Sequence, residues 1–124
     1  MKKIFASEKG YIGKGVAQVA MCNGIGHISG QLSCDLATGK AIHDSIGAQT
    51  ERAILCIQGI LEDLGLTLEH VMKCNVYLSS MELFDEMNAV YLKYFGTENP
   101  PARQTVTAQV WDGLDIEISC EFYY

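Results

Sequence analysis

From Ile46 the apolar positions Ala53, Ile54, Ile57, Ile60, Leu61 and Leu64 recur at spacings of three and four, the signature of one helix face. Asp44 or Ser45 offers an N-cap and Gly65 a stop, so the pattern predicts a helix of about five turns with one apolar stripe. Such a helix cannot bury its stripe alone; in a chain of 124 residues it must lie on a sheet or on other helices. A second helical pattern starts at Ser79, where "SSME" sets Glu82 three residues after a capping hydroxyl. It runs through Leu83, Met87, Val90, Tyr91 and Tyr94 to Gly96.

Strand patterns fill most of the remainder. "VAQVAM" and "IGHISGQL" flank Asn23-Gly24, a dipeptide that accepts the positive φ angles of a type I′ hairpin turn. "VMKCNVYL" (71–78) lies between the two helices, and "ARQTVTAQV" and "DIEISCEFYY" close the chain. The element order is β-β-α-β-α-β-β, with a short strand in "KKIFA" as a further option. This predicts a single α+β domain over residues 1–124, a sandwich with both helices on one face of a mixed sheet.

In the final strand Ile116, Ile118, Cys120 and Phe122 point one way, and Asp115, Glu117, Ser119 and Glu121 the other. In the strand before it, Val106, Ala108 and Val110 form the apolar set and Arg103, Thr105, Thr107 and Gln109 the polar one. If these two strands pair across Asp112-Gly113, a two-residue turn sets Arg103 beside the isoleucines. An odd-length loop or a bulge is then needed to bring Arg103, Thr105 and Glu117 onto one polar face. That second sheet face is too rich in hydroxyls for a monomer core and carries Trp111, Tyr123 and Tyr124 at its margins, which predicts self-association through it.

Charge and cysteine content exclude several classes. Nine Lys+Arg against 15 Asp+Glu give a net charge of −6, and no basic stripe is present, so the reading is no nucleic acid partner. No run approaches the roughly 20 apolar residues of a membrane helix, and the apolar stretch behind the basic start is too short for a signal peptide. The five cysteines, Cys22, Cys34, Cys56, Cys74 and Cys120, are odd in number and lack CxxC pairs, which points to reduced thiols in a cytoplasm. His27, His43 and His70 do not stand at metal-ligand spacing, no GxSxG elbow is present, and neither metal nor cofactor is expected.

Four features carry possible chemistry. Arg103, behind the stiff "NPP" approach, offers a planar fork that binds a carboxylate in bidentate fashion; a surface arginine or an internal salt bridge is the alternative. Glu117 has the chemistry to position a water or act as a general base, and otherwise is a solvated strand residue or a partner for Arg103. "HISGQLS" ends a strand with Gly30, where a missing Cβ lets a ligand approach the backbone. Phe84 and Asn88 stand at i, i+4 on the second helix and so face the same way.

Together, "SGQL" (29–32), "GLTLEHVMKCNVYLSSMELFDEMNAVYLKYFG" (65–96), "PPARQTV" (100–106) and "IEI" (116–118) resemble the Rid family, also called the YjgF or UK114 family, over nearly the whole chain from about residue 12. The resemblance implies a chorismate-mutase-like α+β sandwich that forms a homotrimer with clefts between subunits. It also implies hydrolysis of reactive 2-imino and 2-enamino acids to 2-oxo acids and ammonia. On that likeness Arg103 clamps the substrate carboxylate and Glu117 orients the attacking water. Ser29, Gly30, Phe84, Asn88 and Thr105 line the pocket, with no metal or cofactor. One departure stands out: where many members carry Ile-Gly-Pro-Tyr-Ser-Gln this chain has "IGKGVAQ" (12–18), so the pocket tyrosine is missing and Gly15 or Val16 stands near its place. A trimeric small-carboxylate binding protein without turnover is the competing reading. A ribonuclease, also described in the family, suits the charge least.

Overall fold

The computed structural model describes residues 1–124 as six strands, two α-helices and three short 3₁₀ turns. In chain order the elements are β1 (Lys3–Phe5), β2 (Val19–Cys22), β3 (Ile25–Leu32), α1 (Ile46–Asp63), β4 (Val71–Leu78), α2 (Phe84–Phe95), β5 (Ala102–Thr107) and β6 (Ile116–Tyr123). They form one mixed sheet in the order β1-β2-β3-β6-β4-β5, antiparallel throughout except for the parallel pair β4–β5. Parallel neighbours need a crossover, and α2 is that crossover.

Local chemistry sets the boundaries. Asn23 (φ 52°) and Gly24 (φ 81°) take the left-handed conformations of the β2–β3 turn. Ser45 caps α1, its Oγ accepting from the Ala48 amide, and Gly65 (φ 77°) follows the helix end. The expected box at Ser79 does not form. Ser79 Oγ donates instead to Asp115 Oδ1 at 2.6 Å, Ser80 caps a 3₁₀ turn through the Glu82 amide, and α2 begins only at Phe84. Gln49 on α1 accepts from the Asp115 amide (2.9 Å), so both helix leads are tied to the start of β6.

The core lies between the helices and one face of the sheet. Ile54, Ile57, Ile60 and Leu61 of α1 pack against Ile28, Ile116, Ile118 and Phe122, all buried. The split of β6 into apolar and polar faces is as its alternation requires.

The last two strands depart from the expected arrangement. β5 and β6 are not neighbours, because β4 lies between them and the connection 108–115 crosses the end of β4. Cys74 pairs with Arg103 on one side and Cys120 on the other, and Val76 with Thr105 and Ile118. Arg103 and Thr105 therefore stand on the helix-covered face. Glu117 pairs with Tyr77 and stands on the open face, so no bulge unites the three. The physical reason is that the parity rule applies only to strands that share hydrogen bonds. Val106, expected in the core, is exposed on the open face.

Gly26 shows how tightly the sheet is filled: a Cβ there would lie 2.1 Å from the Phe122 ring. Gly26→Ala is expected to destabilise the fold by about 1–3 kcal/mol through overpacking, read as a lower denaturant midpoint. An unchanged midpoint would mean the ring shifts at no cost.

Candidate functional site

Phe84, Asn88 and Tyr91 stand at i, i+4 and i+7 on α2 and form one stripe above β5. Asn88 Oδ1 accepts from Arg103 Nη1 at 2.7 Å. The guanidinium carbon lies 4.5 Å from the Tyr91 ring centroid and 5.4 Å from that of Phe84. Two rings and one amide thus hold a permanently charged fork in place, and the cation–π contacts help fix its position. The chain has two arginines, and they differ sharply. Arg52 has its carboxylate, with Nη2 2.7 Å from Asp44 Oδ2, whereas no acid pairs with Arg103; every other ion pair uses Lys9, His27, His43 or Lys93. The internal salt bridge is therefore excluded, and most of the Arg103 donors remain free. Thr105, half-buried, follows on the same face.

Tyr91 is the member of this cluster that the sequence reading placed only as a helix-face residue. The i+7 step from Phe84 was the available signal. Its ring stacks on Phe95 (centroids 4.6 Å apart) beneath the guanidinium, and its hydroxyl is buried without a hydrogen-bond partner. The Cys74 thiol lies beside it; burial pushes that thiol up to about 11 and the Tyr91 hydroxyl far above its ordinary value.

Glu117 sits on the other face. A Cβ on Gly30 would lie 2.5 Å from Glu117 Oε2, so only glycine at that position lets the carboxylate lie across β3. The register of β3 against β6 shifts between Ile28 and Gln31, and Ser29-Gly30 occupy that irregularity. Burial alone raises the Glu117 pKa, with no cation or donor in the chain to offset it. The carboxylate borders a cleft of about 260 Å³ walled by Tyr77, Gln109, Val110, Trp111 and Ser119. Ser29 is already engaged: its hydroxyl donates to the Ala17 carbonyl (2.6 Å) and its amide to that of Gln18 (2.8 Å), which pins the 6–18 loop to β3.

The candidates thus fall into two groups. Arg103, Phe84, Asn88 and Thr105 meet on the helix side at the free edge strand; Gly30 and Glu117 meet on the open side. A larger cleft of about 480 Å³, between Tyr11, Cys34 and Leu36, borders neither group. No cluster of three His, Cys, Asp or Glu side chains is placed to hold a metal ion.

This fold is that of a class of small α+β proteins with many solved structures. RidA from an Antarctic Psychrobacter superposes with a TM-score of 0.90 at 28% identity, covering 98% of this chain and 99% of that one. The yjgF product of E. coli gives 0.87 at 26% identity, covering 98% of each chain. Residues 10–122 match the family described as endoribonuclease L-PSP, and the chain belongs to that family, in which the Rid and YjgF proteins stand. A RutC family protein of Saccharolobus solfataricus is 37% identical over 107 residues, 86% of this chain and 84% of the relative. The mitochondrial protein mmf1 of Schizosaccharomyces pombe is 33% identical over 107 residues, 83% of this chain and 64% of the relative. A RutC family protein of Pyrococcus abyssi is 43% identical over 79 residues, 64% of this chain and 61% of the relative. The matches to several curated relatives thus span only about three fifths of those proteins.

Tyr91→Phe removes an unpartnered buried hydroxyl and keeps the ring beneath Arg103. It is expected to raise stability by about 1 kcal/mol in chemical denaturation; a loss of that size would reveal a hydrogen bond the hydroxyl makes in solution.

Proposed function

We propose that this protein hydrolyses 2-imino and 2-enamino acids to 2-oxo acids and ammonia in clefts between copies of a homotrimer. One copy supplies Arg103 and its neighbour supplies Glu117. The observation that supports this most directly is the pair of unpartnered charges on opposite faces of one sheet: a guanidinium clamped at the free edge β5 and a carboxylate on the open face. Side chains on opposite faces of a sheet cannot grip one small molecule, so a shared site needs a second chain. An edge strand and an uncovered sheet face are the surfaces such a chain would use.

The chemistry needs little else. Arg103 holds the substrate carboxylate through two parallel N–H···O bonds, which orients C2. The iminium carbon is already electrophilic, and water attacks it as Glu117 accepts the water proton. The resulting carbinolamine takes that proton back on its nitrogen, and the C–N bond breaks as the carbinol O–H gives its proton to Glu117, releasing ammonia and the 2-oxo acid. A carboxylate raised by burial is the stronger base. Gly30 leaves the room in which the Glu117 carboxylate lies beside the ligand. The Lys14–Val16 segment, where the pocket tyrosine of many members is expected, is an exposed turn with Gly15 at φ 80° and offers no ring.

The setting we propose is a reducing cytoplasm, which suits five unpaired cysteines. No helix is long and apolar enough to cross a membrane. The family description as an endoribonuclease is weighed down here by the net charge of −6, which repels a polyanion.

Two experiments test the reading. An amino-acid oxidase is coupled to the purified protein in the presence of semicarbazide, and the escape of imine to semicarbazone is followed. Trapping should fall in the presence of the protein, and Arg103→Ala should restore it; no reduction across several amino acids would favour the binding-protein reading. In the second, inactive Arg103→Ala and Glu117→Gln chains are dissociated, mixed and reassembled. Random mixing of equal amounts should recover roughly a quarter of wild-type activity, since each mixed trimer regains one intact cleft. Recovery of none would place both residues of each site in the same chain.

A further inference from the structure

The cleft beside Glu117 has a wall whose composition bears on which substrate it takes. Tyr77 is the direct cross-strand neighbour of Glu117, so its ring stands next to the carboxylate on the same face. It packs against a small second core of Leu32, Cys34, Val110 and Leu114, which keeps it upright. Trp111 lines the same cleft and is 46% exposed.

That tryptophan is not on a loose loop. It opens a 3₁₀ turn, Trp111–Gly113, closed by the Leu114 amide donating to the Trp111 carbonyl at 3.1 Å. His43 Nε2 meets the Asp112 carbonyl at 2.6 Å, and the indole leans on the Tyr11 ring with centroids 5.9 Å apart. Asp112 takes a positive φ of 56° within the turn, a conformation held by these contacts. A large ring braced from two sides and still turned to solvent is an unfinished contact surface.

Resting on the reading above, we propose that the cleft selects 2-imino and 2-oxo acids with a large apolar side chain, aromatic above all. With the carboxylate on the neighbour's Arg103 and C2 within reach of a water on Glu117, the side chain on C2 lies against Tyr77 and Trp111. A methyl or ethyl group leaves most of that wall uncovered. A benzyl or indolylmethyl group covers both rings and gains apolar burial and ring stacking. Apart from Glu117, the polar groups of the wall, on Tyr77, Gln109, Trp111 and Ser119, are uncharged, so an anionic side chain finds no cationic partner there.

The test is calorimetric binding of two stable products, phenylpyruvate and 2-oxobutyrate, to the assembled protein. Phenylpyruvate should bind about tenfold more tightly or better. Trp111→Ala should bring the two within about twofold, while Trp111→Phe should keep most of the preference. Equal affinities in the wild type, or an unchanged ratio in Trp111→Ala, overturn the inference. So does loss of preference accompanied by dissociation of the assembly, which would assign Trp111 to the subunit interface. Binding of both acids unaffected by Arg103→Ala would defeat the carboxylate-clamp reading while leaving the aromatic preference intact. Binding of neither acid defeats both.

Discussion

One register line across β6, β4 and β5 carries Cys120, Cys74 and Arg103 in a row on the helix-covered face. The first two are core residues, buried beneath the helices; the third reaches the free edge, where the cover of α2 thins and a guanidinium can meet a ligand. Because α2 is also the crossover between β4 and β5, the helix that closes the core necessarily lies beside the strand that bears the arginine. The Phe84, Asn88 and Tyr91 stripe follows from that coupling. The same register turns Glu117 to the opposite face, so the sheet that positions both groups also keeps them apart.

Both groups carry a stability cost. Arg103 has no counter-charge in the chain, Glu117 is a half-buried carboxylate without a donor, and Tyr91 hides an unpartnered hydroxyl. Elsewhere the chain satisfies its polar groups closely: Gln18 and Gln31 are buried and bonded to backbone, and Arg52 is paired with Asp44. Local violations confined to two small regions of an otherwise consistent fold mark residues kept for something other than folding.

Much of the architecture was legible beforehand. The α1 stripe, its Ser45 cap, the Asn23-Gly24 hairpin, the strand 71–78 and the two faces of β6 all follow from local patterns, because each segment is covered strongly on one side. β5 was misread for the complementary reason. It is an edge strand only partly covered by α2, so its helix-facing positions hold Arg103 and Thr105 and its open side holds Val106, the reverse of ordinary alternation. Pairing β5 with β6 assumed that sequence neighbours are sheet neighbours. The α2 start was displaced because Ser79 is claimed by Asp115, a contact between residues 36 positions apart.

The sequence by itself determined the periodicities, the turn, the caps, the negative charge and the membership of motifs that mark the Rid family, since these are properties of short segments or of the whole composition. It also singled out Arg103, Glu117, Gly30, Phe84 and Asn88 as chemically apt. Only the tertiary structure decided which of them meet. Strand order and register are set by long-range burial, and they group Arg103 with α2, send Glu117 to the far face with Gly30, and stand Tyr77 and Trp111 beside it. A side chain's type is written in the chain; the face it occupies depends on which strand hydrogen-bonds to its own.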